Sequence, residues 1–422
     1  MQPRSESTRA IWLICIGVGL LFLVRGAFMP YAKPLFQSLG GFTYSQIAWL
    51  LTGYMFAQSA FAPFAGWYAD RTSVRAALAT SIACGSCGFL LISMKPGVLL
   101  SMLAVFAIGL AFVLGRVSLN TMLVLHSNAE MLRRSVAKRA TLLNLGSFTG
   151  NSLAYEITAI LGYQTHAIIL ALLHLPLVIG LAVTTSKSAP KHADTFGVAN
   201  LKLFSGNRPF LSDSLRRFAT NLPYGCWGTI IPIYVIDQYH SNKPVWTIGL
   251  TSVCTTIVGA HFLAVHMSAF LYGRGFKWEW WSMTSVLLYC AGLMLLMLAR
   301  HPIMLPVAIV VFICGEVLMT PCLDETAKKH GGTTTMATCM GLLHLVDGFG
   351  RMLGAAFAMA VYGWMSTTSY QKYYWPTVVI SFLSCSIILH AVAFALVRSK
   401  AHAAIEPLPL AVDMEQEQAI VP

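Results

Sequence analysis

The chain of 422 residues is poor in charge and rich in apolar side chains: 10% of its residues are charged and 56% are hydrophobic. Soluble domains carry about a quarter charged residues, and a soluble fold of this length cannot bury so much apolar surface. The composition therefore excludes a soluble globular protein and indicates a chain that lies mostly in a lipid bilayer. The net charge of +12 comes from basic residues in short segments between apolar runs, so we expect no nucleic-acid partner.

Long apolar runs predict transmembrane helices of roughly 20 residues each. Their spacing predicts twelve spans, six on either side of a polar stretch, at 10–36, 44–68, 75–94, 98–124, 138–162, 165–185, 209–236, 246–271, 278–299, 303–322, 335–363 and 376–398. We therefore predict an all-α integral membrane protein with two pseudo-symmetric six-helix bundles. Its predicted segments are an N-terminal bundle (1–185), a linker (186–208), a C-terminal bundle (209–400) and a disordered tail (401–422).

The distribution of basic residues predicts the orientation of these spans. Eighteen of the 28 lysines and arginines fall at the termini, in the linker and in the even-numbered loops, whereas four fall in the odd-numbered loops. Loops with an excess of Lys and Arg stay in the cytoplasm. We therefore expect a multi-pass protein of the inner (plasma) membrane, with both termini and the linker in the cytoplasm.

The turn between spans two and three has the sequence Gly66-Trp-Tyr-Ala-Asp70-Arg71-Thr-Ser-Val-Arg75. Its three charges place it at a membrane surface, because charges in hydrocarbon are costly. The turn resembles the loop G-x-x-x-D-R-x-G-R-[KR] of the major facilitator superfamily, although Ser and Val replace the second Gly and a basic residue. The resemblance implies transport by alternating access and a gating role for Gly66, Asp70, Arg71 and Arg75.

The two predicted bundles also repeat weakly at an offset of 200 residues. Gly115-Arg116-Val117 in span four matches Gly315-Glu316-Val317 in span ten, and Gly150 in span five matches Gly350 in span eleven. A degenerate copy of the charged turn survives at Gly273–Lys277. Internal repeats of this kind are typical of secondary transporters.

Ionisable residues inside spans are costly, so each one is a functional candidate. The resemblance implies that spans one, four, seven and ten line a central cavity, which makes five of them candidates for substrate contact: Arg25, Arg116, Arg216, Arg217 and Glu316. We expect proton coupling at Glu316, Glu156 or Asp347, and a gating role for Arg351. Local pairs at helical spacing remain an alternative, between Asp213 and Arg216 or Arg217 and between Asp347 and Arg351.

Short patches also resemble proton-driven exporters. Gly146-x-x-x-Gly150 is similar to the start of the exporter signature, and its alternative interpretation is close helix packing. Arg116 alone matches the antiporter pattern R-x-x-Q-G of span four. Gly315–Pro321 resembles the tenth span of twelve-span drug/proton antiporters.

Catalytic and metal-binding motifs are missing from the sequence. The cysteines lie within apolar runs, the histidines lack metal-ligand spacing, and no phosphate-binding loop or nucleophile motif occurs. We therefore expect no enzyme activity, no metal and no cofactor.

The predicted function is proton-coupled secondary transport of a small organic solute by a monomer in the bilayer. An exporter is the first expectation. The arginines near the cavity favour an alternative, an uptake symporter for an anionic solute such as a carboxylate or a siderophore, because Arg forks match carboxylates. A non-transporting membrane receptor is the third possibility.

Overall fold

The computed structural model describes residues 4–127, 129–177, 205–227, 278–298, 303–331, 335–366 and 370–403, with a few further positions between 230 and 259. The regular structure of these residues is helical. The helices in chain order are α1 Arg4–Phe28, α2 Ala32–Gly40, α3 Tyr44–Ala60, α4 Ala62–Arg71, α5 Val74–Ser93, α6 Val98–His126, α7 Ala129–Leu173, α8 Arg208–Tyr224, α9 Trp278–Leu295, α10 Met304–His330, α11 Met336–Ser366 and α12 Tyr374–Ala403.

Eight stretches of helix in the described residues are long and apolar enough to cross a membrane. They correspond to predicted spans one, three, four, six, nine, ten, eleven and twelve. Most of span eight, most of the linker and the degenerate repeat at Gly273–Lys277 lie outside the described residues, as does nearly all of the predicted tail.

Prolines interrupt the first two predicted spans, which the sequence patterns had suggested were continuous. Span one ends as α1 at Phe28, and a 3-10 turn at Met29–Tyr31 contains Pro30. Span two is divided into α3 and α4, with Pro63 at the start of α4. Proline has no N–H to donate and its ring clashes with the preceding helical turn, so a helix bends or restarts there.

Several helices extend beyond their predicted ends. The α7 helix begins at Ala129, before the predicted residue 138, and contains span five and the first part of span six, separated at Gly162 with φ +76°. The α10 helix continues to His330, past the predicted residue 322. Hydropathy detects where apolar surface ends, whereas backbone hydrogen bonding continues into the charged segments outside the membrane.

Close backbone contact joins α1 to α7 through small residues. A Cβ atom on Gly146 would meet the carbonyl oxygen of Gly19, and one on Gly150 would meet that of Leu23. A Cβ on Gly26 would meet the carbonyl of Ser147 in the same way. The packing interpretation of the Gly146–Gly150 motif is therefore confirmed, because only hydrogen fits where two helix backbones touch.

Buried apolar side chains form separate clusters, and one of them is built from many residues of both halves of the chain. That cluster joins Ala65 and Ala69 of α4 to Ala327 of α10 and to Ala337 and Met340 of α11. We call this end of the bundle, where α4 ends and α11 begins, the Asp70 end. Of the two further clusters, one lies within the N-terminal half and the other lies mostly within the C-terminal half.

Candidate functional site

At the Asp70 end, the carboxylate of Asp70 caps the first turn of α11. Asp70 Oδ1 accepts a hydrogen bond from the Ala337 N–H at 3.1 Å, and Oδ2 accepts bonds from the N–H and the hydroxyl of Thr338, both at 2.7 Å. The first N–H groups of a helix lack partners within it and carry partial positive charge, so a carboxylate is favoured there. A residue of the predicted gating turn thus joins the two halves.

Two glycines permit this contact. A Cβ on Gly66 would overlap the carbonyl of Ala337, and a Cβ on Gly341 would overlap that of Ala62. The other two residues of the predicted gating turn lie outside the contact: Arg71 is exposed over the ring of Trp67, with Cζ 5.3 Å from the ring centroid, and Arg75 is exposed.

A buried ion pair makes a second connection between the halves. Arg139 of α7 donates from Nη1 and Nη2 to the two carboxylate oxygens of Asp324 in α10, at 2.7 and 2.8 Å. The side chains of Arg139 and Asp324 are 6% and 0% exposed. This forked geometry is the strongest arrangement that an arginine and a carboxylate form.

The same network continues to α6 and α11. Arg139 Nη1 also donates to Asn120 Oδ1 at 3.2 Å, and Asn120 Nδ2 lies 3.0 Å from His344 Nε2. Asn120 and His344 are both buried. Sequence analysis missed all four residues, because Arg139 lies among loop charges, Asp324 lies beyond the predicted end of span ten, and the other two are uncharged.

Towards the middle of the C-terminal half, a second ion pair joins α8 to α11. Arg217 Nε and Nη2 donate to Asp347 at 3.0 and 2.6 Å, and Asn221 Nδ2 donates to the same carboxylate at 2.9 Å. The predicted pair within α11, between Asp347 and Arg351, is therefore replaced by a pair between helices. Of the two alternative local pairs with Asp213, the structure shows the one with Arg216, whose Nη1 lies 3.6 Å from Asp213 Oδ1.

Arg351 is held by two neighbours from α8. Its Nε donates to Asn221 Oδ1 at 2.8 Å, and its guanidinium carbon lies 4.3 Å from the centroid of the Tyr224 ring. Tyr224 in turn donates its hydroxyl to Glu316 Oε1 at 2.9 Å. The second oxygen of Glu316 is enclosed and has no hydrogen-bond partner among the described residues.

Two arginines of the N-terminal half lie near this group. Arg116 lies on α6 one turn before Asn120, which contacts His344 of α11, and it is close enough to Arg351, Asp347, Arg25 and Glu316 for their charges to act on one another. The guanidinium carbon of Arg25 lies 5.6 and 5.0 Å from the ring centroids of Phe22 and Phe112, and Arg25 lines the same small cavity as the buried Tyr54. We call Arg25, Arg116 and Arg351 the central arginine cluster.

The structure thus brings together Arg116, Arg351 and Glu316, with Arg25 beside them. Arg216 and Arg217 are buried within the C-terminal half. Glu156 is exposed on the outside of α7 and lies in none of these networks. Among the described residues, no group of three His, Cys, Asp or Glu side chains is arranged to hold a metal ion.

Chemically, the centre contains one carboxylate with a free oxygen and several guanidinium groups contributed by both halves. Such a group can bind a proton or an anion, and either ligand would change how the two halves attract each other.

Comparison with known proteins identifies the family. The family model of the Major Facilitator Superfamily matches residues 14–355. The chain belongs to this superfamily. Two solved structures share its fold: the human organic anion transporter MFSD10 (TETRAN), with a TM-score of 0.69 and 16% identity, and the transporter FucP in the outward conformation, with 0.67 and 14%. Each comparison covers 92% of this chain. The match covers 100% of the MFSD10 chain and 99% of the FucP chain.

A shorter match links the chain to a curated relative, the multidrug resistance protein B homolog of Mycobacterium tuberculosis, found in strains CDC 1551 / Oshkosh and ATCC 25618 / H37Rv. The two proteins are 32% identical over 87 residues, which is 21% of this chain and 16% of the relative. The match therefore spans only a small part of the relative's length.

Family membership confirms the predicted all-α fold of the major facilitator superfamily. It identifies a multi-pass transporter for a small molecule in a lipid bilayer, rather than an enzyme. It also explains why the polar residues of the centre come from both halves, since superfamily substrates bind at the interface between the two repeats.

Proposed function

We propose that this transporter is coupled to protons and that Glu316 is its proton site. The observation that carries the proposal is the position of the Glu316 carboxylate. It lies inside the bundle, with one oxygen bonded to Tyr224 and the other enclosed without a partner in the described residues. A buried carboxylate in a membrane protein is costly when ionised, so it binds a proton more readily than an exposed one.

Both halves act on this carboxylate. Arg351 and Tyr224 belong to the C-terminal half, whereas Arg116 belongs to the N-terminal half, and an arginine attracts a carboxylate only when it is ionised. When the halves rock about the central site, the distance between Arg116 and Glu316 changes. The proton affinity of Glu316 then differs between the two states, as coupled transport requires.

Export of a small organic solute is the first candidate direction, and the short match to the multidrug resistance protein B homolog supports it. The closed Asp70 end belongs to the predicted cytoplasmic side. In that orientation the structure represents a state closed to the cytoplasm, which suits the step at which an exporter releases its solute.

Uptake of an anionic solute together with protons is the second candidate. The central arginine cluster favours it, since Arg116 has no hydrogen-bond or ion-pair partner among the described residues. The fold shared with an organic anion transporter is compatible with this candidate, although at 16% identity it shows the fold alone.

Proteoliposomes that contain a pH-sensitive dye test coupling and direction together. Ethidium and benzoate are added in turn as a cationic and an anionic probe. We expect one of them to produce a proton flux, whose sign separates antiport from symport. In Glu316→Gln, counterflow of the same probe should persist while pH-driven accumulation is lost.

The control for this experiment is Arg134→Gln, which changes an exposed residue of α7. Normal pH-driven accumulation by Glu316→Gln would rule out Glu316 as the proton site. Loss of folded protein in size-exclusion chromatography would instead indicate that Glu316 has a structural role.

Reporter fusions test the orientation. A reporter that is active only outside the cytoplasm should be active after Lys95, Lys243 and Lys372 and silent within the 186–208 linker. Activity of the linker fusion would reverse the assignment of the Asp70 end.

A further inference from the structure

Arg351 has the geometry of an anion-binding residue. Its Nε is bonded to Asn221 and its flat guanidinium group lies on the Tyr224 ring, so its orientation is set before any ligand arrives. Its terminal Nη atoms form no hydrogen bond with a described residue. Two terminal nitrogens in a fixed plane match the two oxygens of a carboxylate.

The support for Arg351 extends further into α8 and α11. Asn221 is itself fixed, because its Nδ2 donates to Asp347 and to the carbonyl of Arg217. Arg217 neutralises Asp347 through two hydrogen bonds. Asp347 therefore orients Asn221 but leaves little negative charge to balance Arg351.

The charges at the centre do not balance. The central arginine cluster contains three cations. The carboxylates beside it are Glu316, which has one oxygen without a hydrogen bond among the described residues, and Asp347, which already accepts two hydrogen bonds from Arg217. Arg116 and Arg351 come from opposite halves and carry like charges. Like charges in a poorly hydrated site are costly, and an anion between them would remove that cost.

An aromatic wall adjoins Arg351. Tyr224 stacks on Phe312 with ring centroids 6.2 Å apart, and Trp227 stacks on Phe312 at 5.4 Å. Tyr224 and Trp227 are both partly exposed. A ligand with an apolar, preferably flat body can contact these rings while its acid group contacts arginine.

We infer that Arg351 and Arg116 form the binding site for the carboxylate of an organic anion, and that Tyr224 positions Arg351. This inference rests on the proposed transport function, for which it names the substrate class. It also gives Arg351 a role in binding, where the sequence had suggested gating.

The inference predicts how the proton and the anion affect each other. Ionised Glu316 attracts the same two arginines as the anion, so a proton on Glu316 makes both available. Among the described residues, the other titratable groups beside Glu316 are the hydroxyl of Tyr224, which donates to it, and that of Tyr289, whose ring packs against Tyr224. Proton and anion therefore bind together, which favours symport, the second of the two candidate functions.

The test is equilibrium binding to the purified protein in nanodiscs, without any gradient. The probes are benzoate, its neutral analogue benzamide and its cationic analogue benzylamine, which share one ring. We expect benzoate to bind at millimolar or lower concentration and the other two probes to bind at least tenfold more weakly. A tenfold loss of affinity corresponds to the loss of about one charged hydrogen bond.

Variants assign the site. Arg351→Gln and Arg116→Gln should each weaken benzoate binding at least about tenfold, and Arg351→Lys, which keeps the charge but loses the fork, should have a smaller effect. Tyr224→Leu should weaken benzoate binding. Tyr224→Phe keeps the ring, so its affinity for benzoate should stay within about threefold of the wild-type value. Arg134→Gln is the matched control, as an exposed arginine outside the centre.

The pH dependence separates this inference from the proposed proton site. Between about pH 6 and 8 benzoate stays ionised, and its affinity for the wild type should rise as the pH falls. In Glu316→Gln the affinity should be high at every pH. Arg351-dependent binding whose pH dependence is unchanged in Glu316→Gln would support the anion site and contradict the proton site.

Three results would overturn the inference. The first is benzamide or benzylamine binding as tightly as benzoate. The second is wild-type benzoate affinity in folded Arg351→Gln and Arg116→Gln, with folding checked by size-exclusion chromatography. The third is no benzoate binding at millimolar concentration.

Discussion

The Asp70 end and the central arginine cluster use similar residues in opposite ways. At the Asp70 end, Arg139 is matched by Asp324, and Asp70 is matched by three donors at the start of α11. In the central arginine cluster, Arg116 has no such partner among the described residues.

This difference shows what buried charge does in each place. A charge that is fully paired across the interface opposes separation of the halves, because separation leaves both partners unmatched. A charge without a partner contributes little to the closed state and is available to a ligand. Variants at the Asp70 end should therefore change the conformational equilibrium, and variants in the central arginine cluster should change binding.

The largest effect is expected for Asp324→Asn. The substitution leaves Arg139 buried without its counter-charge, at a cost of about 3–5 kcal/mol to the closed Asp70 end. Spin labels at the exposed positions Thr72 and Lys329, one in each half, should report longer distances than in the wild type. The double variant Arg139→Gln with Asp324→Asn should be closer to the wild type than Asp324→Asn alone. Equal distances in all three proteins would show that the pair does not hold the halves together.

Gly66→Ala should have the next largest effect. The added Cβ would overlap the Ala337 carbonyl and push α4 away from α11, which disfavours closure by about 1–3 kcal/mol. The same spin-label distances measure the shift. Gly363→Ala is the control, since a Cβ there meets nothing within 4 Å. An unaltered distance in Gly66→Ala would contradict the close contact between α4 and α11.

Asp70→Asn should have a moderate effect. The substitution removes the negative charge that attracts the first N–H groups of α11, and it weakens the hydrogen bonds to Ala337 and Thr338. The closed Asp70 end should lose about 1–2 kcal/mol of stability. Expression and folding should stay near normal while conversion between states is impaired, as measured by the transport rate of the purified protein. Thr338→Val removes one of the three hydrogen bonds and should have a smaller effect. A transport rate unchanged by Asp70→Asn would refute a gating role for this turn.

The smallest effect on stability is expected for Arg116→Gln. The substitution breaks no ion pair among the described residues and removes a repulsion with Arg351. The midpoint of thermal unfolding should therefore stay the same or rise, in contrast to Asp324→Asn. A clear fall in the midpoint would show that Arg116 is a structural residue and would remove the contrast between the two regions.

Much of this could be predicted from patterns along the chain. Apolar runs predicted the membrane helices, the charged turn predicted the family, and the match of Arg116 with Glu316 at one offset directed attention to the centre. Each of these signals is local or repeats at a regular interval, so a single sequence contains it. The pairing of charges was predicted poorly: Arg217 bonds to Asp347 and Arg139 to Asp324 across long stretches of sequence.

The sequence by itself determined the membrane class, most helices and the superfamily, because transfer of apolar surface into lipid depends on composition and length. The tertiary structure alone decided which charges are neutralised and which remain available. That outcome depends on distances of a few ångströms between helices that are far apart in the chain. A rotation of one helix about its axis would exchange one charged partner for another. Arg139 and Arg116 lie in adjacent predicted spans, and only the packed structure shows that the first is bound to a carboxylate while the second faces the centre without one.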